Sequence, residues 1–253
     1  MDQAPVSRET PSPPDVARRV FSTALPRARS YADLLADAGV VRGLIGPREV
    51  PRLWERHLVN CALLASALPG RDGRGVQPRV ADIGSGAGLP GLVLAIMRPD
   101  LPIVLVEPLL RRTTFLTEAA EALGLDNVEV VRARAEELHG RRTFEVVTSR
   151  AVAPLPRLLR WSMPLVAPGG AMLAMKGASA AEEVAAAAKE LKRAGVRDVG
   201  VESYGDDIVD PPTRVIRVVA GAGADTRAGR SGGPGGRRAS ERRPSGGRKS
   251  RSE

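Results

Sequence analysis

The chain has 253 residues, 43 % of them apolar, a formal charge of +9 and a single cysteine. That much apolar material fills one large core or two small ones, while one cysteine excludes an internal disulfide and any cysteine-cluster zinc site. No apolar run nears the roughly 18 residues of a membrane span, and the first residues lack a charged-then-apolar leader, so a soluble, cytoplasmic protein without membrane contact is expected.

The charge is unevenly spread. In residues 221–253 nine Arg or Lys face three acids, which puts +6 of the +9 in a stretch of Gly, Ser, Arg and Pro without an aromatic residue. Such a segment cannot bury enough surface to offset its ordering entropy, and 221–253 reads as a disordered basic tail. It serves either as a solubilising extension or as an arm adding salt-dependent, sequence-blind attraction to RNA phosphate. Residues 1–14, with four prolines, read as a second unstructured tail.

Regular structure begins at Asp15. Val16, Val20 and Phe21, then Tyr31, Leu34, Leu35 and Ala38 up to an expected stop at Gly39, then Leu53, Trp54, His57, Leu58, Cys61, Leu64 and Leu68 recur at helical spacing. They predict a helical cap over 15–75. His57 is either a hydrogen-bonded histidine on a packing face or a group on the substrate side. His139 is the only other histidine, so a histidine metal site has little support and no metal is expected.

At Val80 the pattern changes. Val80, Ala81 and Ile83 form a run short enough for a buried strand, and Gly84-Ser85-Gly86-Ala87-Gly88 follows before a helical pattern over 89–97. Glycine admits positive φ and the close approach of a ligand, and the opening of a helix offers unpaired N–H groups.

Two ligand classes compete for this turn. Gly86, Gly88 and Gly91 match the dinucleotide spacing G-x-G-x-x-G, with Glu107 about where a ribose hydroxyl requires an acid. The glycine at the strand end is Gly84, however, and counted from there the third glycine is replaced by Leu89. S-adenosylmethionine needs a close-fitting backbone around its methionine part, negative potential near its sulfonium and a carboxylate for both ribose hydroxyls. Asp82, the turn carrying Gly84, Gly86 and Gly88, and Glu107 supply these three things.

Further strands are expected at 103–106, ending in Glu107, and at 128–131, 144–148 and 171–175, with 196–201 and 215–219 as a closing hairpin pair. Helices are expected at 111–123, 155–166 and 180–194. The alternation predicts an α/β fold, a mostly parallel sheet covered by helices on both faces, which binds ligands at strand C-terminal ends. Residues 82–88, Glu107, Ala135-Glu136 and Ser149-Arg150 all fall at such ends. One pocket is implied.

The segments Arg56-His57-Leu58-Val59-Asn60, 82–91, Arg134-Ala135-Glu136, Thr148-Ser149-Arg150-Ala151 and Met175-Lys176-Gly177 together resemble the bacterial RsmG family, also called GidB, over about 31–220. The resemblance implies a class I (Rossmann-like) methyltransferase fold with a seven-stranded sheet over 76–220, behind the helical cap. It implies S-adenosylmethionine as cofactor and methylation of N7 of a guanine in 16S rRNA of the small ribosomal subunit. Cofactor contacts are implied for Gly84 and Leu89, for Ala135 and Glu136 beside the adenine, and for Arg150. Glu107 on the ribose follows the general methyltransferase pattern, and stands where the family often has Asp.

Guanine N7 carries a lone pair and no proton, so attack needs no general base and no catalytic acid or base is named. Arg150 and Lys176 are candidates for reading N7 and O6 together. Arg150 also suits an RNA phosphate, or an ion pair at its strand end. A small molecule or a protein as methyl acceptor remains the alternative, since residues 1–220 carry only +3. The aromatic residues, three Phe, two Tyr and two Trp, sit mostly at core-like positions. The expected partner is therefore a shaped ribonucleoprotein, the small subunit or its assembly precursor, met by a monomer, and not a free strand.

Overall fold

The structure, a computed structural model, describes residues 10–222; the basic tail from residue 223 on and residues 1–9 lie outside the described residues. Seven strands form one sheet in the order β3-β2-β1-β4-β5-β7-β6. They are β1 Val80–Ile83, β2 Ile103–Val106, β3 Val128–Val131, β4 Phe144–Arg150, β5 Val166–Lys176, β6 Val196–Tyr204 and β7 Thr213–Ala220. The first five pair in parallel, and β7 runs antiparallel between β5 and β6.

The sheet is apolar on both sides because successive residues point to opposite faces. Val80, Ile103, Leu105, Val146, Leu173 and Val215 belong to one core cluster, while Ala81, Ile83, Val104, Val106, Val147, Met172 and Ile216 belong to the other. The first face is covered by the cap together with α4 Gly91–Met97 and α5 Leu110–Ala122, the second by α6 Leu155–Ser162, α7 Ala180–Ala186 and α8 Ala188–Arg193.

The cap consists of α1 Asp15–Phe21, α2 Leu25–Leu34 and α3 Asn60–Leu63, linked through wide π turns at Leu35–Gly39 and Leu53–Val59 and a three-ten turn at Pro47–Arg52. The expected stop at Gly39 does not occur. Helical backbone runs on to Val41, and the chain reverses at Gly43, which takes φ +66° and donates its N–H to the Val40 carbonyl at 3.0 Å. Residues 10–14 have no regular structure, yet the Pro11 carbonyl accepts the Trp54 indole N–H at 2.7 Å.

Other bounds differ from expectation too: β4 runs on to Arg150 and β6 to Tyr204, β7 spans Thr213–Ala220, and α4 begins at Gly91. β5 begins at Val166 because Val166 already pairs with Phe144, ahead of a register shift in which β5 runs on to Ala171 while β4 advances only to Val146. The helix expected over 155–166 is correspondingly shorter, and that expected over 180–194 divides at Ala187, where φ is −93° and ψ 7°.

Candidate active site

The turn after β1 is held from three sides. Its Gly84 N–H donates to the Val106 carbonyl at 2.8 Å, Gly88 N–H to Ser85 O at 2.7 Å, and the Tyr31 hydroxyl of the cap donates to Ala87 O at 2.7 Å. Gly84 has φ +71°, and a Cβ there would sit 3.0 Å from Val152 Cγ2, whereas one on Gly86 would find nothing nearer than 3.8 Å. The turn is thus tight against the protein at Gly84 and open towards the cavity at Gly86.

Asp82 lies beneath this turn. It is fully buried, its Oδ2 accepts the Gly91 N–H at 3.1 Å, and its Oδ1 has no partner among the described residues. Burial pushes its carboxyl up to about 7, against the pull of the Gly91 N–H. The opening of α4 is correspondingly spent within the protein, since the Leu92 N–H also goes to Gly88 O at 2.8 Å. Gly88 is packed and not open: a Cβ there would stand 2.9 Å from the Tyr31 hydroxyl and nearer still to Leu92.

Glu107 follows β2 and is 1 % exposed. Its Oε2 accepts the Gly86 N–H at 3.0 Å and its Oε1 the Leu109 N–H at 3.1 Å, with Arg112 Nη1 3.5 Å away. Each carboxylate oxygen has two acceptor sites; Gly86 and Arg112 take those of Oε2, and one remains on Oε1 for an arriving hydroxyl.

Arg150 ends β4 on the same face as Val146, and period-two alternation therefore aims it at the cap. Its Nη2 lies 2.6 Å from His57 Nδ1 and 3.3 Å from Arg56 O, and its Nη1 3.6 Å from Cys61 Sγ. Burial pushes the Cys61 thiol up to about 11 and the Tyr31 phenol well above its ordinary value, so both are uncharged neighbours.

A cavity of about 640 Å³ opens at the strand ends. Gly84, Gly86, Leu89, Glu107, Ala135, Glu136, Arg150 and His57 line it, and Asp82, Gly88 and Lys176 do not. Lys176 Nζ donates to Ala153 O at 2.8 Å and lies 2.7 Å from Glu183 Oε2, which ties it to the segment after β4. His139 supports α6, its Nε2 lying 2.9 Å from Trp161 O. Sequence patterns missed Leu44 and Ile45 from the cap, and Arg112, Val152 and Trp161; Arg134, part of the segment 134–136, also lines the cavity. Trp161, one of two tryptophans, carried a compositional signal; the cap residues arrive only through tertiary packing. Ala151, also in the lining, has φ +53°, a strained value for a residue with a Cβ.

The cavity suits S-adenosylmethionine on its own geometry. An uncovered turn at Gly86, a buried carboxylate with a spare acceptor site at Glu107 and a guanidinium at Arg150 face one space. Among the described residues no group of three His, Cys, Asp or Glu is placed to hold a metal ion, and no helix is long and apolar enough to cross a membrane.

A family model described as rRNA small subunit methyltransferase G, GidB, matches residues 24–209. A protein of Nocardioides sp. named ribosomal RNA small subunit methyltransferase G is 65 % identical over 215 residues, covering 85 % of this chain and 84 % of its own. One of the same name from Thermobifida fusca is 54 % identical over 214 residues, covering 85 % and 88 %. Among solved structures, a SAM-dependent O-methyltransferase from Thermotoga maritima superposes with a TM-score of 0.50 at 15 % identity over 64 % of each chain, a likeness of fold alone.

Proposed function

This chain belongs to the GidB family, rRNA small subunit methyltransferase G, and on that premise we propose that it methylates N7 of a guanine in 16S rRNA. S-adenosylmethionine, when bound, supplies a methyl group made electrophilic by its sulfonium. The observation that carries the reading within the site is the buried Glu107 carboxylate, which faces the cavity with acceptor capacity left over.

The residues divide the work of holding. Glu107 would accept a ribose hydroxyl, the Gly84–Gly86 backbone and Leu89 would hold the methionine part, and Ala135 with Glu136 would hold the adenine. Arg150 offers a fork of donors and no acceptor, which suits a carboxylate or the N7/O6 edge of guanine. Asp82 and Gly88 support the turn from below, and Lys176 steadies the segment behind Arg150. No side chain is assigned a proton transfer, because N7 has none to lose; the barrier is lowered by alignment, an effect that supplies several kcal/mol.

Five of the seven aromatic residues, Phe21, Tyr31, Trp54, Phe115 and Phe144, are buried. Of the seven, Trp161 alone borders the cavity. With so little to stack on, the protein recognises a shaped ribonucleoprotein, the small subunit or its assembly precursor, and acts there as a cytoplasmic monomer.

Labelled S-adenosylmethionine incubated with small subunits and purified protein tests this directly. Label enters 16S rRNA, and chemical cleavage specific for N7-methylguanine cuts at one position. Absence of label in the RNA, or label at another atom, overturns the proposal.

A further inference from the structure

One polar chain crosses from the cap to the cavity wall, and methyl transfer as described leaves its middle member without a task. Glu49 belongs to the three-ten turn, His57 to the π turn after it, and Arg150 to the end of β4. Glu49 Oε2 lies 2.8 Å from His57 Nε2, and His57 Nδ1 lies 2.6 Å from Arg150 Nη2. A guanidinium only donates, so His57 Nδ1 accepts. The single ring proton is then on Nε2, directed at the carboxylate.

We propose that His57 is a positioning residue: in the neutral tautomer fixed by Glu49 it holds the Arg150 guanidinium in the cavity wall, ready for a bound anion or acceptor. The inference rests on the reading of this cavity as the S-adenosylmethionine site.

Three features support it. Arg150 makes no ion pair with a carboxylate among the described residues; its partners are an imidazole nitrogen, a carbonyl and a thiol, all uncharged. Its charge therefore stays available to a ligand. Of those partners the imidazole is the nearest, and only it is itself anchored by a charged group. Finally, a second proton on the ring would turn Nδ1 into a donor facing a donor and set two cations in contact. The groups facing His57 are Glu49 from the three-ten turn, Arg56 from its own turn and Arg150 from β4. Burial, followed by Arg150, holds the imidazole below its ordinary range against the opposing pull of Glu49, which keeps the ring neutral near pH 7.

The test uses the full chain labelled with ¹⁵N-histidine. The two histidines are separated by a His139→Gln control, and the nitrogen shifts of free protein are read at pH 7.5. Calorimetric titration with S-adenosylhomocysteine from pH 5 to 8 follows, for wild type, His57→Asn and His57→Leu. The expected result is a His57 ring protonated on Nε2 alone, with wild-type affinity falling at least fivefold as that ring titrates. His57→Asn, which places an amide oxygen near the former Nδ1, binds without that acid limb. His57→Leu loses at least tenfold affinity throughout.

A ring protonated on Nδ1, or an acid limb unchanged in His57→Asn, overturns the proposal even if His57→Leu fails to fold. If wild type binds no S-adenosylhomocysteine at any pH, the cofactor reading fails instead, and the nitrogen shifts still decide whether His57 accepts from Arg150.

Discussion

Glu107 and Gly86 stand 21 residues apart and meet through one hydrogen bond of 3.0 Å, the carboxylate accepting the backbone N–H of the turn. The acid at the end of β2 therefore shapes the glycine turn before any ligand reaches it. Both of its oxygens face backbone donors, Gly86 N–H and Leu109 N–H.

Glu107→Gln is expected to disturb turn and ligand together. An amide presents one donor where the site needs two acceptors, leaving a buried N–H opposed and removing a place for a ribose hydroxyl. Calorimetry should record a roughly tenfold to hundredfold loss of affinity for S-adenosylmethionine, in keeping with the about 1.5–3 kcal/mol of a hydrogen bond to a charged group. Affinity within twofold of wild type would remove Glu107 from the cofactor site.

Tyr31→Phe tests the link from cap to turn. The phenol is fully buried and, among the described residues, its hydroxyl donates to Ala87 O alone, at 2.7 Å, so the variant strands a buried carbonyl and loses no packing volume to speak of. Chemical denaturation should show a loss of about 1–3 kcal/mol. If stability is unchanged while S-adenosylmethionine binding is also unchanged, the hydroxyl does not hold the turn.

Much of this site was legible because strand ends are local. The run 80–83, the glycines behind it, and Glu107 after 103–106 needed only apolar periodicity and a break; Gly84, Gly86 and Glu107 line the cavity, while Asp82 and Gly88 pack beneath the turn. Arg150 also stands at a strand end, but its direction depends on which face of β4 meets the cap. Its contact with His57, 93 residues earlier, belongs to tertiary packing. The same distinction explains the misses. Leu44 and Ile45 reach the cavity only because the chain turns at Gly43 and not at Gly39; both are glycines in a helical pattern, and only Gly43 takes positive φ. The division at Ala187 has no glycine or proline to announce it.

Gly91→Ala should be more damaging than its place at the start of a helix suggests. Its backbone conformation is open to alanine, but a Cβ would overlap the Leu105 side chain and sit 2.7 Å from Asp82 Oδ2. The methyl must push α4 off β2 or break the Asp82 bond, and overpacking of this kind costs about 1–3 kcal/mol. Denaturation midpoints compared with those of Gly46→Ala, where a Cβ meets nothing within 4 Å, separate this clash from a general effect of replacing glycine. Equal midpoints would mean that β2 and α4 yield without cost.

Asp82 should give the ligand-free protein a recognisable pH dependence. Its carboxyl rises from an ordinary 3.8 to about 7, first through burial and further through Glu107, with Gly91, Ser85 and Arg150 pulling the other way. Between those values the folded protein retains a proton that the unfolded chain has released. Stability contributed at this position is therefore greatest in acid, falls as pH rises from about 4 to about 7, and is level above that. Asp82→Asn keeps an oxygen for the Gly91 N–H and removes the titration. Relative to wild type, its melting temperature should climb across that window and then run parallel. Because Glu49, Asp100 and Glu129 have lowered values and lose stability in acid in both proteins, the difference between the two curves isolates Asp82. A difference that shrinks with rising pH, or stays flat from pH 4 to 8, would mean that Asp82 is ionised beneath the turn and meets the cofactor as a charge.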